Sequence, residues 1–188
     1  MLIFSILMLF LAHAECKKFD AKSECLNHVS SILGDTFNPD LCVYVNLKWT
    51  TDVDQNSAVR LIGDCEKAGV SRFVMVSAIG ADPNSESGRL KHYLRAKGVA
   101  DARLRSSKLD YTIIAPGTLI DERGTGRVQI AEDLGFHGYL PREDLASCII
   151  ECLQNFNSIG KTFQIVSGAQ KIKDAFDEVV GKSLPPIA

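Results

Sequence analysis

The chain has 188 residues, 46% of them hydrophobic and 23% charged, with a formal net charge of −2. That length and composition support one sizeable buried core and exclude a disordered or collagen-like chain. The near-neutral balance leaves no electrostatic footprint for nucleic acid, so a small-molecule partner is expected instead.

The first fourteen residues carry an apolar run from Leu2 to Ala12, followed by Ala12-His13-Ala14, a small-x-small sequence of the kind signal peptidase cleaves. A secretory signal and a buried apolar element both fit this segment, because no Lys or Arg precedes the run. The run is too short to span a bilayer as a mature helix, and no other stretch approaches the ~20 apolar residues that spanning needs, so no membrane is expected for the mature form. Residues 15–40 form an extension without an assignable role; within it only residues 25–33 look helical, and Gly34 ends that pattern. Cys16, Cys25 and Cys42 could give one disulfide and a leftover thiol in an oxidising compartment, whereas Cys65, Cys148 and Cys152 fall in amphipathic helical patterns and read as buried apolar side chains.

From residue 41 to the end the pattern is that of one domain. Residues 41–47 form a β-branched and aromatic run expected to be a strand. Ala58, Val59, Leu61, Ile62, Cys65 and Ala68 recur at helical spacing, and Gly69 supplies the left-handed cap. Residues 72–77 are a buried parallel strand by their continuous apolar character, 88–106 a second helix, and 111–115 a second such strand, stopped at Pro116-Gly117. A short strand near 127–130, a helix at 142–153, a strand at 162–166 and a helix at 171–180 follow. Strands alternating with helices of ten or more residues make the class α/β, a parallel sheet flanked by helices. Ligands of such sheets bind beyond the carboxyl ends of the strands, at Ser77-Ala78-Ile79-Gly80 and Pro116-Gly117-Thr118-Leu119.

Tyr93 and Lys97 lie four residues apart on the helix after Ser77, hence on one face and about 6 Å apart along its axis. An ammonium there favours the phenolate, which predicts a lowered Tyr93 pKa. With Ser77 they form a candidate proton-transfer set for carbonyl reduction or alcohol oxidation. The spacing alone is weak: Tyr44 and Lys48 repeat it in a predicted strand, where the side chains would be ~13 Å apart. Tyr93 and Lys97 as solvated helix residues is the competing interpretation.

Residues 53–82, then HYLRAK, LDYTIIAPGTL and GYLPREDLASCIIECL, resemble the later segments of atypical short-chain dehydrogenases/reductases, the NAD(P)H-binding group that includes sugar-epimerase-like and NmrA-like proteins. The resemblance covers about residues 53–180 and implies a Rossmann-like sheet, with NAD(P) as cofactor. It implies that Ser77 and Ala78 line the cofactor crevice, that Tyr93 is the acid/base, that Lys97 holds the nicotinamide ribose, and that Pro116, Gly117, Thr118 and Leu119 pass close to the nicotinamide. It also favours a cytoplasmic protein, against the secretory segment. Asp144, in the first turn of its helix, is expected to complement the helix dipole and not to bind ligand.

The family's opening strand, Gly-rich turn and helix, where the pyrophosphate sits, have no counterpart in this sequence. The one Gly-x-Gly, Gly124-Thr125-Gly126, precedes a predicted strand and reads as a loop. The expected domain is therefore Rossmann-like but lacks the first βαβ half, binds NAD(P) weakly or not at all, and is weakly active or serves as a non-catalytic dinucleotide-sensing or interaction module. Strand 41–47 would then present an apolar edge, to be covered by residues 1–40 or paired with another chain.

Overall fold

A computed structural model describes residues 50–86 and 88–181, all within the compact unit Thr50–Ala188. The signal-like segment, the three N-terminal cysteines, helix 25–33, strand 41–47 and the Tyr44/Lys48 pair lie outside the described residues.

The described chain opens with a π-helical segment, Thr50–Ser57, that runs directly into α1, Ala58–Lys67. Sequence pattern places a helix start only at Ala58, because TTDVDQNS offers no apolar face. Ile62 and Cys65 are the buried stripe of α1. The helix ends in a Schellman motif: the Gly69 and Val70 amides donate to the carbonyls of Glu66 and Cys65, and Gly69 takes the positive φ of +68° that this turn requires. Strand β1 is Phe73–Val76, α2 is Lys91–Arg105 and β2 is Tyr111–Pro116. There follow β3, Thr118–Ile120, β4, Arg127–Ala131, and β5, Tyr139–Pro141. The chain then forms α3, Arg142–Gln154, β6, Lys161–Ser167, β7, Gln170–Lys171, and α4, Ile172–Val180.

The main sheet has the order β1-β2-β6-β4-β7. β1, β2 and β6 are parallel, with Phe73 opposite Tyr111 and Ile114 opposite Phe163. β4 departs from the expected parallel arrangement and runs antiparallel to both β6 and β7. Its burial explains why: Arg127 and Gln129 are exposed while Val128 and Ile130 are buried, the one-faced pattern that antiparallel strands tolerate, whereas five of the six residues of β2 are buried. Short β3 and β5 form a separate parallel pair that the sequence reading did not anticipate.

Residues on alternate faces of each strand serve different layers. Val76, Ile114, Ile130 and Ile165 join Leu145, Cys148 and Cys152 of α3 and Phe176 of α4 in one core. Phe163 and Phe176 meet edge to face, with ring centroids 5.9 Å apart, and full burial of each such ring contributes about 2–3 kcal/mol. Cys148 and Cys152 are free thiols whose pKa values are pushed up by burial, so they behave as apolar packing groups. The opposite face of the sheet carries Met75, Ile113 and Ala115, and α2 lies on that side against β2, α1 and the π-helical segment.

Candidate functional site

The carboxyl ends of β1 and β2 stay joined beyond the strands, because the Ser77 amide donates to Ile114 and the Ile79 amide to Pro116, at 2.7 and 3.1 Å. Pro116 is thus held beside the Ser77–Ile79 segment. Gly117, Thr118 and Leu119 turn the other way: the Gly117 amide donates to Ile165 and the Thr118 amide to Gly138, and Leu119 pairs with Leu140 in the small sheet. A side chain at position 117 would strike the Gly138 carbonyl, its Cβ only 2.3 Å from that oxygen, so glycine permits the close approach of the two loops.

Along α2, Tyr93, Lys97, Asp101 and Arg105 follow one another at four-residue intervals and form a single stripe. Lys97 is buried, and its Nζ lies 3.2 Å from the Val76 carbonyl and 3.1 Å from Asp54 Oδ1. Since the Ser77 amide faces β2, the Val76 carbonyl faces the outer edge of β1; Lys97 binds that outward oxygen at the strand end. The ammonium also lies 5.7 Å from the centroid of the Tyr93 ring. Ser77 is buried, and its hydroxyl donates to Asp101 Oδ2 at 2.8 Å. Lys97 thus links Asp54 and the Tyr93 ring to the end of β1, and Asp101, one turn further along the same helix face, links to Ser77.

Electrostatics correct one expectation. The Tyr93 pKa is not lowered but pushed up to about 12, first by burial of the ring and then by the negative charges of Asp54 and Asp101. Burial opposes the phenolate, and the Lys97 ammonium that was to favour it is itself paired with Asp54. Asp101 is pushed up to about 6 by burial, against the opposing effects of the Ser77 hydrogen bond and the Arg105 and Lys97 charges. Its Oδ1 is buried without a hydrogen-bond partner. A groove of about 470 Å³ is lined by Ala78, Asp101, Arg105, Glu132, Thr162 and Gln164.

The Gly124-Thr125-Gly126 turn, set aside in sequence as a loop, has a defined occupant. The Gly124 amide donates to Glu143, and the Thr125 and Gly126 amides donate to the two carboxylate oxygens of Asp144, at 2.7, 3.0 and 2.8 Å. A cluster of backbone N–H groups of this sort suits an anion, and here the chain's own buried Asp144 fills it. Asp144 thus anchors a loop from the first turn of α3, a role more specific than complementing the dipole.

Asp54 and Asp101 are the two site residues sequence reasoning missed. Asp101 could have been found, lying one turn beyond Lys97 on the same stripe. Asp54 carried no signal, since its π-helical segment has no apolar periodicity.

The sequence profile of a family described as NAD(P)H-binding matches residues 31–156. The uncharacterized sugar epimerase YhfK of Bacillus subtilis (strain 168) is 40% identical over 129 residues, covering 68% of this chain and 59% of YhfK. A Bacillus halodurans structure named as an NAD-dependent epimerase/dehydratase superposes with a TM-score of 0.68 at 35% identity, covering 72% of this chain and 64% of that one. The anaerobillin reductase ChuY of Escherichia coli O157:H7 superposes with a TM-score of 0.57 at 29% identity, covering 63% and 60%. This chain spans less than two thirds of the length of each of these relatives.

Proposed function

The chain belongs to the NAD(P)H-binding family and shares its Rossmann-like sheet, and from that we propose that it interconverts a carbonyl and an alcohol at the carboxyl end of β1, in the manner of short-chain dehydrogenases/reductases. Lys97, which binds the Val76 carbonyl and lies beside the Tyr93 ring, and Ser77, tied to Asp101 one turn further along the same helix, support this reading. The donor set fits the nicotinamide-ribose end of the cofactor: Lys97 is an ammonium donor and Asp54 a carboxylate acceptor, a pair that complements ribose hydroxyls. When bound, NAD(P)H supplies a hydride for the carbonyl carbon. The protein's own part is to place the substrate oxygen between Ser77 and Tyr93 and to deliver the Tyr93 phenolic proton to it. A phenol pushed up to about 12 still gives its proton readily to a developing alkoxide, whereas only ~10⁻⁵ of it is phenolate at pH 7. Near neutral pH Tyr93 is thus in the form that donates to a carbonyl being reduced.

Residues 1–188 contain no Gly-rich phosphate turn, and their one Gly-x-Gly is taken by Asp144. On that ground we propose that the chain alone holds the cofactor's nicotinamide end without the pyrophosphate contacts. Losing two charge-assisted hydrogen bonds removes ~3–6 kcal/mol, which turns micromolar affinity into roughly millimolar. Titration with NADH and NADPH, followed by nicotinamide fluorescence, is expected to show millimolar binding that weakens further in Lys97→Ala. At saturating NADPH, reduction of 9,10-phenanthrenequinone should be slow and fall ~10²-fold in Tyr93→Phe. Turnover unchanged in Tyr93→Phe overturns the reductase reading, and tight binding without turnover assigns a dinucleotide-sensing module.

A further inference from the structure

Ser77 has one hydroxyl proton, and Asp101 decides where it goes. While Asp101 is ionised it can only accept, so Ser77 must donate to it and keeps only lone pairs for any other partner. A protonated Asp101 donates from Oδ2 to Ser77 Oγ instead, and the Ser77 proton is released toward the substrate. The surroundings of Asp101 raise the weight of this second arrangement. The Asp101 side chain is 3% exposed, and its Oδ1 has no donor; a buried carboxylate oxygen without a partner costs more as part of an anion than as a neutral carbonyl. Arg105 approaches Oδ2 only to 3.8 Å, and its side chain is half exposed.

Resting on the reductase reading above, we propose that Asp101 is a positioning residue that sets the hydrogen-bond polarity of Ser77: neutral Asp101 makes Ser77 a donor to a carbonyl oxygen, and ionised Asp101 makes it an acceptor. The charged groups around it are accounted for. Lys97 and Arg105 flank it on α2, with Tyr93 one turn before Lys97; Asp54 reaches Lys97 from the π-helical segment; and Glu132 and Lys161 line the same groove as Asp101. Burial outweighs the two cations and holds Asp101 up to about 6, and Tyr93 stays protonated around that pH.

The test has two readouts on the 188-residue chain. In ¹³C NMR of Asp-carboxyl-labelled protein, the signal lost in Asp101→Asn should titrate near pH 6, and Ser77→Ala should move that midpoint upward by removing a donor to the charged form. Asp101 fully ionised by pH 5, or a midpoint indifferent to Ser77→Ala, overturns the proposal. With NADPH and 9,10-phenanthrenequinone, the wild-type rate should fall about tenfold per pH unit above that midpoint. Asp101→Asn, whose amide donates to Ser77 at every pH, should be flat from pH 5 to 8. A wild-type profile retained in Asp101→Asn overturns the proposal even if Tyr93→Phe has upheld the reductase reading. Absent turnover with both expected carboxyl shifts overturns the reductase reading and leaves the Asp101–Ser77 coupling supported.

Discussion

Asp101 also links proton binding to folding. Its carboxyl moves from an ordinary 3.8 to about 6 in the folded protein. Below pH ~3.8 both folded and unfolded forms hold the proton, and burial costs nothing extra. Between these values the folded form keeps a proton that the unfolded form has lost, so stability falls as pH rises; above pH ~6 the full penalty of burying the anion is present, about 3 kcal/mol by linkage. Asp101→Asn should therefore be more stable than the wild type at pH 7.5, by up to that amount, with the gap closing at pH 4. Urea unfolding at the two pH values decides it, and an equal difference at both would contradict the buried-anion account. At this scale the sequence was half legible. That Tyr93 and Lys97 share a helix face and meet was readable from spacing and context, but the direction of the Tyr93 shift was not, because it depends on Asp54 and on burial, neither of which a spacing rule contains.

Helices and strands were more legible than their pairings. Every described helix from α1 to α4 and the strands β1, β2, β4 and β6 follow from apolar periodicity and the residues that end each run. The antiparallel setting of β4 was available in its Arg-Val-Gln-Ile alternation, a one-faced pattern overshadowed by the βαβ rhythm around it. What no periodicity could reveal is the crossing at Gly98, in the middle of α2. The Asp82-Pro83 backbone passes so close that a Cβ at position 98 would lie 2.3 Å from Pro83 N and 2.4 Å from the Asp82 carbonyl carbon, and the Asp82 amide donates to the Leu94 carbonyl. A helix-interior glycine is normally improved by alanine through ~1 kcal/mol of propensity; here backbone meets backbone and cannot yield cheaply. Gly98→Ala should be destabilised by roughly 2–3 kcal/mol, and the loop leading away from Ser77 should shift with it. Denaturant unfolding measures the first effect, and amide chemical shifts of residues 78–83 the second. A stabilised variant would mean that the loop is not seated against α2.

Across the whole molecule, Arg72 is the tie between layers. Its guanidinium is buried without a carboxylate: Nη1 donates to the Asp110 carbonyl, and the two protons of Nη2 are shared among Thr112 Oγ1, the Cys152 carbonyl and Ser158 Oγ, at 2.6–2.9 Å, while Nε is buried without a partner. The Cys152 carbonyl is at the end of α3, where the helix dipole favours a cation. Burial lowers the Arg72 pKa, yet the group keeps its proton across the working range. Arg72→Leu should lose about 2–4 kcal/mol by chemical denaturation, because several buried acceptors lose their donor at once; Arg72→Lys, with a point charge in place of the fork, should recover only part of it. A neutral Arg72→Leu would refute this role. The acceptors lie 38 to 86 positions further along the chain, and no stretch of local sequence brings them together. A partly assembled domain, with β1 and β2 in place but α3 absent, would have to leave the guanidinium in water or bury it unsatisfied. Intermediates are penalised in this way, so the first strand and the third helix are expected to come apart in a single all-or-none transition.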